Sequence, residues 1–285
     1  MSTAATSEHA ATTARASTFS RVLVGVDGSD EAIEAAKQAA VVAEGPIRLV
    51  AAYKIAPLVI GTTGTGTAAY LDEDLQHRSA LEVLKRTRQA LAEGDDVAGK
   101  IVRDCPWDAL VEEMKRSRDT LVVVGSHGTG RARGILAGST VTELVHKAPC
   151  SVLVTRGAAR IPRRIVVGVD GSRESARAYA VARDLADRFG AHMRTIVDHG
   201  GKPVDMDLVR AITGDGVKET FREPVQALVG ASGIVDLVVV GSRGLHGLKA
   251  LGSVSERVAH QAECSVLVVR EAPWQHASMP ENNGA

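Results

Sequence analysis

The sequence predicts an α/β protein of two tandem doubly wound domains, each with a mostly parallel five-stranded sheet and the second one truncated. Three observations carry this. First, the chain repeats itself: RVLVGVDGS at 21–29 returns as RIVVGVDGS at 164–172, LVVVGSHG at 121–128 as LVVVGSRG at 237–244, and CSVLV at 150–154 unchanged at 264–268. Second, short β-branched runs alternate with Ala-rich or amphipathic stretches of helical period, the pattern of a parallel sheet covered on both faces. Third, the offset between copies falls from 143 to 116 and then to 114, so the second copy is 27 residues shorter in its middle and two shorter near its end.

In order, the run at 21–29 reads as a buried strand ending in Asp-Gly-Ser, followed by a helix with Asp30 and Glu31 in its first turn and Ser29 or Asp30 as cap. Residues 47–54 read as a second strand, 71–91 as a long helix, 100–103 as part of a third strand, and 107–115 as a helix. A strand at 121–125, a Gly-rich loop, a helix at 140–147 and a strand at 151–155 complete five strands and four helices. The glycine- and threonine-only stretch 61–67 has too little apolar content to form structure and reads as a surface loop. In the second copy only 199–217 separates its second and third strands, room for one short helix near 205–213. The expected organisation is a tail at 1–19, a first domain at 20–156, a basic linker at 157–163, a truncated second domain at 164–271 and a tail at 272–285.

Composition removes several function classes. The 285 residues carry 34 Lys plus Arg against 34 Asp plus Glu, which leaves no broad basic field for nucleic acid. No run approaches eighteen apolar residues and 1–20 has no apolar signal-type core, so neither membrane nor secretion is expected. Cys105, Cys150 and Cys264 form no disulfide framework or metal pair, which suits a reducing cytoplasm.

The chemistry concentrates in Gly125-Ser-His-Gly128, nine residues, then Gly138-Ser139-Thr140. Glycine lets backbone approach a ligand without a Cβ clash, and a helix N-terminus offers unpaired N–H groups and partial positive charge to phosphate. Arg131 and Arg133 lie in the intervening loop, placed to add charge-assisted contacts. The plainer alternative, glycines that only shape a loop, is opposed by the strand before it, the helix after it and the partial recurrence in the second copy. Asp27 and Asp170 end the first strand of each copy, where a carboxylate meets ribose or base in doubly wound sheets. For each aspartate alone, a turn-stabilising Asx role is the stronger alternative.

These residues resemble the universal stress protein family in its tandem two-domain form. The Val-Gly-Val-Asp-Gly-Ser opening, the Gly-x2-Gly-x9-Gly-Ser pattern and the terminal Ser-Val-Leu-Val strand carry the resemblance across about 20–271. It implies strand order 3-2-1-4-5 and ATP as ligand. Asp27 would meet adenosine and backbone near Ala51 the adenine, while Gly125, Gly128, Arg131, Gly138, Ser139 and Thr140 would meet ribose and phosphates. The second-copy equivalents are Asp170, Gly241, Gly244, Gly252, Ser253 and Val254. There the pattern departs from the family, because seven residues rather than nine separate Gly244 from Gly252.

No GxGxxG or GxxxxGK[ST] follows the first strand, which argues against Rossmann and P-loop sites. No nucleophile and base stand together, so no catalytic residue is assigned. His146 and His260 are expected against helix-terminal carbonyls, and Cys150 and Cys264 as packed thiols. The favoured function is an ATP-binding stress-response or signalling module, the nucleotide held chiefly by the first repeat. The alternatives are a slow ATPase or nucleotidyl-transfer enzyme using Mg²⁺, and a nucleotide-free dimeric scaffold. The last strands of the two repeats are expected to pair within the chain as a pseudo-dimer, which pairs again into a homodimer.

Overall fold

The computed structural model describes residues 19–54, 57–60, 67–70, 73–92, 95–128, 138–198, 205–214, 218–220, 223–242 and 254–275. Strand β1 (Val22–Val26) is buried along nearly its whole length, and its alternating side chains feed two cores. Val22, Val24 and Val26 join the core under helices α1 (Asp30–Val42) and α2 (Glu73–Gln89), while Leu23 joins the core under α3 (Pro106–Ser117) and α4 (Ser139–Lys147). Ala35, Ala36 and Ala39 are fully buried, so α1 lies close on the sheet with no large side chain between them. Ser29 caps α1, its Oγ accepting from Ala32 N at 3.1 Å, as Ser172 caps α5 (Arg173–Phe189) through Ser175 N at 3.2 Å.

The other strands of the first repeat are β2 (Ile47–Tyr53), β5 (Val97–Arg103), β6 (Leu121–Gly125) and β7 (Ser151–Thr155). The second repeat contributes β8 (Arg164–Val169), β9 (His192–Asp198), β10 (Lys218–Thr220), β11 (Leu237–Gly241) and β12 (Ser265–Val269). They form one sheet of ten strands in the order β10-β9-β8-β11-β12-β7-β6-β1-β2-β5. Every neighbouring pair is parallel except β7 and β12, which run antiparallel with Leu153 opposite Leu267. An exposed run of Ser-Val-Leu-Val is thereby covered on its open edge.

Two arginines reinforce this seam. Arg156, just after β7, reaches helix α8 (Val254–Gln261) and donates to Ala259 O at 2.5 Å and His260 O at 3.3 Å. Arg270, just after β12, donates to Val145 O at 2.8 Å and to Ala148 O at the end of α4. Each repeat thus supplies the cation that satisfies the terminal carbonyls of the other repeat's last helix. Sequence reasoning gave that role to His146 and His260. The guanidinium takes it instead, because its planar fork reaches several carbonyls at once.

Three further departures have local causes. β3 (Pro57–Ile60) and β4 (Thr67–Tyr70) pair as an antiparallel hairpin before α2, where no strand was expected; of the expected loop at 61–67, Thr67 opens β4 and 61–66 lie outside the described residues. Phe19, expected in the N-terminal tail, is buried in the core and its carbonyl accepts from Glu44 N at 3.1 Å. Ala272 and the 3-10 turn Pro273–Gln275, expected in the C-terminal tail, dock on the first repeat, with Trp274 Nε1 donating to Asp119 O at 3.1 Å. By contrast, α6 (Met206–Thr213) occupies the short-helix position expected in the second repeat, and α7 (Pro224–Ser232) follows β10. Among the described residues no helix is long and apolar enough to cross a membrane.

Candidate functional site

In the sheet order, β1 stands between β2 and β6, with the chain leaving β1 for β2 on one side and returning to β6 on the other. Such a reversal opens a crevice at the carboxyl ends of the strands. Asp27 follows β1, Ala51 lies in β2 opposite Val26, and Gly125 ends β6. The three are therefore gathered at one end of three adjacent strands.

Asp27 shows how local chemistry sets the geometry. Its Oδ1 accepts from Ser29 N at 3.0 Å and from Ser29 Oγ at 2.6 Å, the Asx turn that the plainer alternative anticipated. Its other oxygen faces the loop after β6: a Cβ placed on Gly128 would lie 2.4 Å from Oδ2. A side chain at the second glycine of the motif would therefore have to displace the Asp27 carboxylate. Gly28, between them, adopts φ +86°, a left-handed conformation that costs an L side chain about 1–2 kcal/mol.

Gly138 has a different reason to be glycine. Its φ of −60° suits any residue, and among the described residues an added Cβ would meet nothing within 4 Å. It is the N-cap of α4 yet supplies no side-chain cap, and α4 has no acidic residue in its first turn. Helix first-turn N–H groups have no intrahelical acceptor, and among the described residues no acceptor is recorded for those of Ser139 and Thr140. Gly138 N itself donates to Ser126 O at 3.0 Å, which ties the start of α4 back to the end of β6. The Gly138 amide is therefore committed to the fold, and Ser139 and Thr140 are the donors the geometry leaves for an anion. Arg131 lies outside the described residues, as does Arg133.

Several neighbours were not legible from the motif. Val83 of α2 lies against the Gly28 turn, 2.9 Å from where its Cβ would be, and Arg86 pairs with Asp30 at 3.0 Å, so α2 is strapped across the turn. Beyond the end of β2, Tyr53 stacks edge-on to His77 and reaches Glu73 at 3.4 Å, while Glu73 pairs with Arg103 at 3.0 Å. Only the acidic start and basic end of α2 marked this helix in sequence, and those features are common to surface helices. His127 donates to or accepts from Ser126 Oγ at 2.9 Å, a local loop contact.

In the second repeat Asp170 makes the same turn, accepting from Ser172 N at 3.0 Å and from Ser172 Oγ. Gly171 repeats the left-handed conformation with φ +81°. Gly241 is packed on α5, with a Cβ position 2.6 Å from the Glu174 carbonyl. Gly244, Gly252 and Ser253 lie outside the described residues, and Val254 opens α8, partly exposed. Here α6 packs on the Gly171 turn through Leu208 and Val209, the latter fully buried. Cys150 and Cys264 are buried thiols, the first 3.3 Å from Met114 Sδ and the second pushed up to about 11 by burial, which suits packing and not nucleophilic attack.

Sheet order, helix placement and switch-point crevice define a doubly wound α/β protein. The chain belongs to the universal stress protein family, whose profile matches residues 18–156 and 223–270. It is 33% identical over 288 residues to a universal stress protein of Mycobacterium tuberculosis, covering 89% of this chain and 97% of that one. A universal stress protein of Mycolicibacterium smegmatis is 30% identical over 291 residues, covering 87% and 96%. Among solved structures, a universal stress protein from Archaeoglobus fulgidus superposes with a TM-score of 0.67 at 20% identity, covering 89% of this chain and 97% of that chain. A putative universal stress protein from Pseudomonas aeruginosa gives 0.63 at 18%, covering 89% and 94%. At those identities the structural likeness speaks for the fold.

Proposed function

We propose that this protein is an ATP-binding stress-response or signalling module whose nucleotide is held chiefly by the first repeat. The observation that supports it best is Gly138: a helix N-cap with no side chain, a φ any residue could adopt, and, among the described residues, nothing within 4 Å of where its Cβ would stand. Phosphate brought there meets the positive end of α4 and the Ser139 and Thr140 N–H groups. Asp27 supplies a carboxylate for ribose hydroxyls at the adjoining strand end, and the β2 backbone at Ala51 lies on the side left for adenine. Where Mg²⁺ accompanies the phosphates, Asp27, whose Oδ2 faces Gly128, is a carboxylate that would meet it. The assigned role is binding rather than catalysis: the hydroxyl–imidazole contact in the loop, Ser126 Oγ with His127 Nδ1, joins chain neighbours and its serine is buried.

The same reading treats 20–156 and 164–271 as two domains joined at β7 and β12 into a covalent pseudo-dimer, which associates again as a homodimer. The test is direct. Denaturing the purified protein should release an adenine nucleotide, and titration of stripped protein should show about one ATP per chain. Protein that takes up no adenine nucleotide by either route would refute the reading.

A further inference from the structure

The start of α4, which carries the proposed phosphate cradle, is touched by the second repeat. Thr142 N donates to Gly138 O at 3.2 Å, and Thr142 Oγ1 lies 3.4 Å from the same carbonyl. That hydroxyl also meets His260 Nε2, from α8 of the second repeat, at 3.1 Å. A hydroxyl has one proton to give, so if Thr142 donates to Gly138 O it accepts from His260 Nε2–H. The remaining ring nitrogen, Nδ1, is buried and has no hydrogen-bond partner. The contact therefore selects the neutral ring protonated at Nε2. A second proton would place an N–H in the interior with no acceptor.

The pseudo-symmetric position is built differently. Thr142 corresponds to Glu256 and His146 to His260, both at an offset of 114. There His146 Nε2 lies 3.0 Å from Glu256 Oε1, so a carboxylate faces the ring where Thr142 faces the other one. Around His260 the charged and titratable groups are Glu256 on its own helix, His146 on α4, and Arg156 from the end of β7. Burial is the largest influence and, with Arg156 and His146, holds the imidazole below its ordinary value against the pull of Glu256. Arg270 grips the far end of α4 through Val145 O and Ala148 O, so the second repeat holds this helix near both ends.

We propose that His260 of the second repeat is a positioning residue for the first repeat's phosphate cradle, acting through Thr142 on Gly138 and the first turn of α4. As a statement about nucleotide affinity it rests on the ATP-binding reading above. The consequence is that the first site is tuned by a histidine belonging to the other half of the chain. Protonation at Nδ1 buries a charged N–H without an acceptor, a cost the ring relieves by swinging away from Thr142, which loosens the cradle.

The full chain, stripped of nucleotide, is titrated with ATP between pH 5.5 and 8 as wild type, His260→Ala, His260→Gln and Thr142→Val. His260→Ala should bind ATP about 5–10-fold more weakly at pH 7.5, equivalent to roughly 1–1.4 kcal/mol. Wild type should show an added loss of affinity on acidification that the Ala variant lacks. Gln, whose Nε2 can donate but cannot titrate, should restore the affinity without the acid step. His260→Ala combined with Thr142→Val should be no weaker than either alone, because both cut the same contact. Amide exchange of nucleotide-free protein, read at 139–142, should be faster in His260→Ala. Wild-type affinity and pH profile in His260→Ala, or an acid step kept by His260→Gln, overturns the proposal while leaving ATP binding intact. Should wild type bind no ATP, the functional reading falls and the exchange decides alone: unchanged exchange at 139–142 overturns the positioning role.

Discussion

The two repeats share their strands, their Asp-Gly-Ser turns and their capping serines, yet they treat the crevice beside the first strand differently. In the first repeat the turn at Gly28 is pressed by Val83 of the 17-residue α2 and strapped by Arg86 to Asp30. In the second, the eight-residue α6 takes that place with looser contact, its nearest atom 3.5 Å from a Cβ on Gly171. The phosphate segment is also two residues shorter in the second repeat, a lost reach of about 7 Å at 3.3–3.6 Å per extended residue. What the comparison teaches is that scaffold and site separate: the turn survives truncation because it closes its own hydrogen bonds, whereas a cradle depends on the length of the loop that frames it.

The sharpest way to break the comparison is charge reversal at the cradle. Gly138→Asp should reduce ATP affinity by at least about 100-fold, since a carboxylate would stand where phosphate must approach. Its melting temperature should hold, because among the described residues the added Cβ meets nothing within 4 Å. Gly252→Asp should leave the stoichiometry near one. Calorimetric titration giving two ATP per chain, with one lost in each variant, would show the second site to be equivalent.

Next come the crossed arginines. Arg270→Ala strips a charged donor from Val145 O, Ala148 O and Ser242 Oγ, and Arg156→Ala does so for Ala259 O, His260 O and Cys264 O. Each should cost about 2–3 kcal/mol in urea unfolding. A seam with balanced halves requires similar losses, and a large inequality would show that one repeat leans on the other.

Smaller effects separate the two turns. Gly28→Ala and Gly171→Ala both force a left-handed alanine, at about 1–2 kcal/mol. Gly28→Ala should cost more, because its Cβ would also stand 2.9 Å from Val83 Cγ2. Equal melting temperatures would mean that α2 and α6 grip their turns alike.

The last prediction concerns acid. His260 is held below its ordinary value of 6.5, so between 6.5 and its lower native value the unfolded chain binds more protons than the folded one. The stabilisation is complete above 6.5 and is lost as pH falls through the native value. Chemical unfolding of wild type should weaken across that window more than unfolding of His260→Gln, and parallel curves would place the acid sensitivity elsewhere.

Much of this was readable in the chain. Val22–Val26 and Arg164–Val169 are β-branched runs that could only be buried strands, and the short helix between β9 and β10 followed from the number of residues left. The hairpin β3–β4 was not readable, because Thr67–Tyr70 has no apolar alternation of its own and finds its partner only across a loop. Phe19 and Trp274 were hidden for a related reason: a single aromatic in a polar tail carries no periodicity, and its burial depends on a surface supplied by distant residues.

By itself the sequence determined the repeat, the α/β alternation, the two aspartate turns and the glycine pattern, because each rests on interactions within a few residues: strand propensity, a side-chain oxygen meeting a nearby amide, helical period. Tertiary structure alone decided that Gly128 sits on Asp27, that Gly138 spends its amide on Ser126, and that Arg156 and Arg270 cross between repeats. Those contacts join groups far apart in the chain, and their energies appear only when packing brings the partners within hydrogen-bond reach.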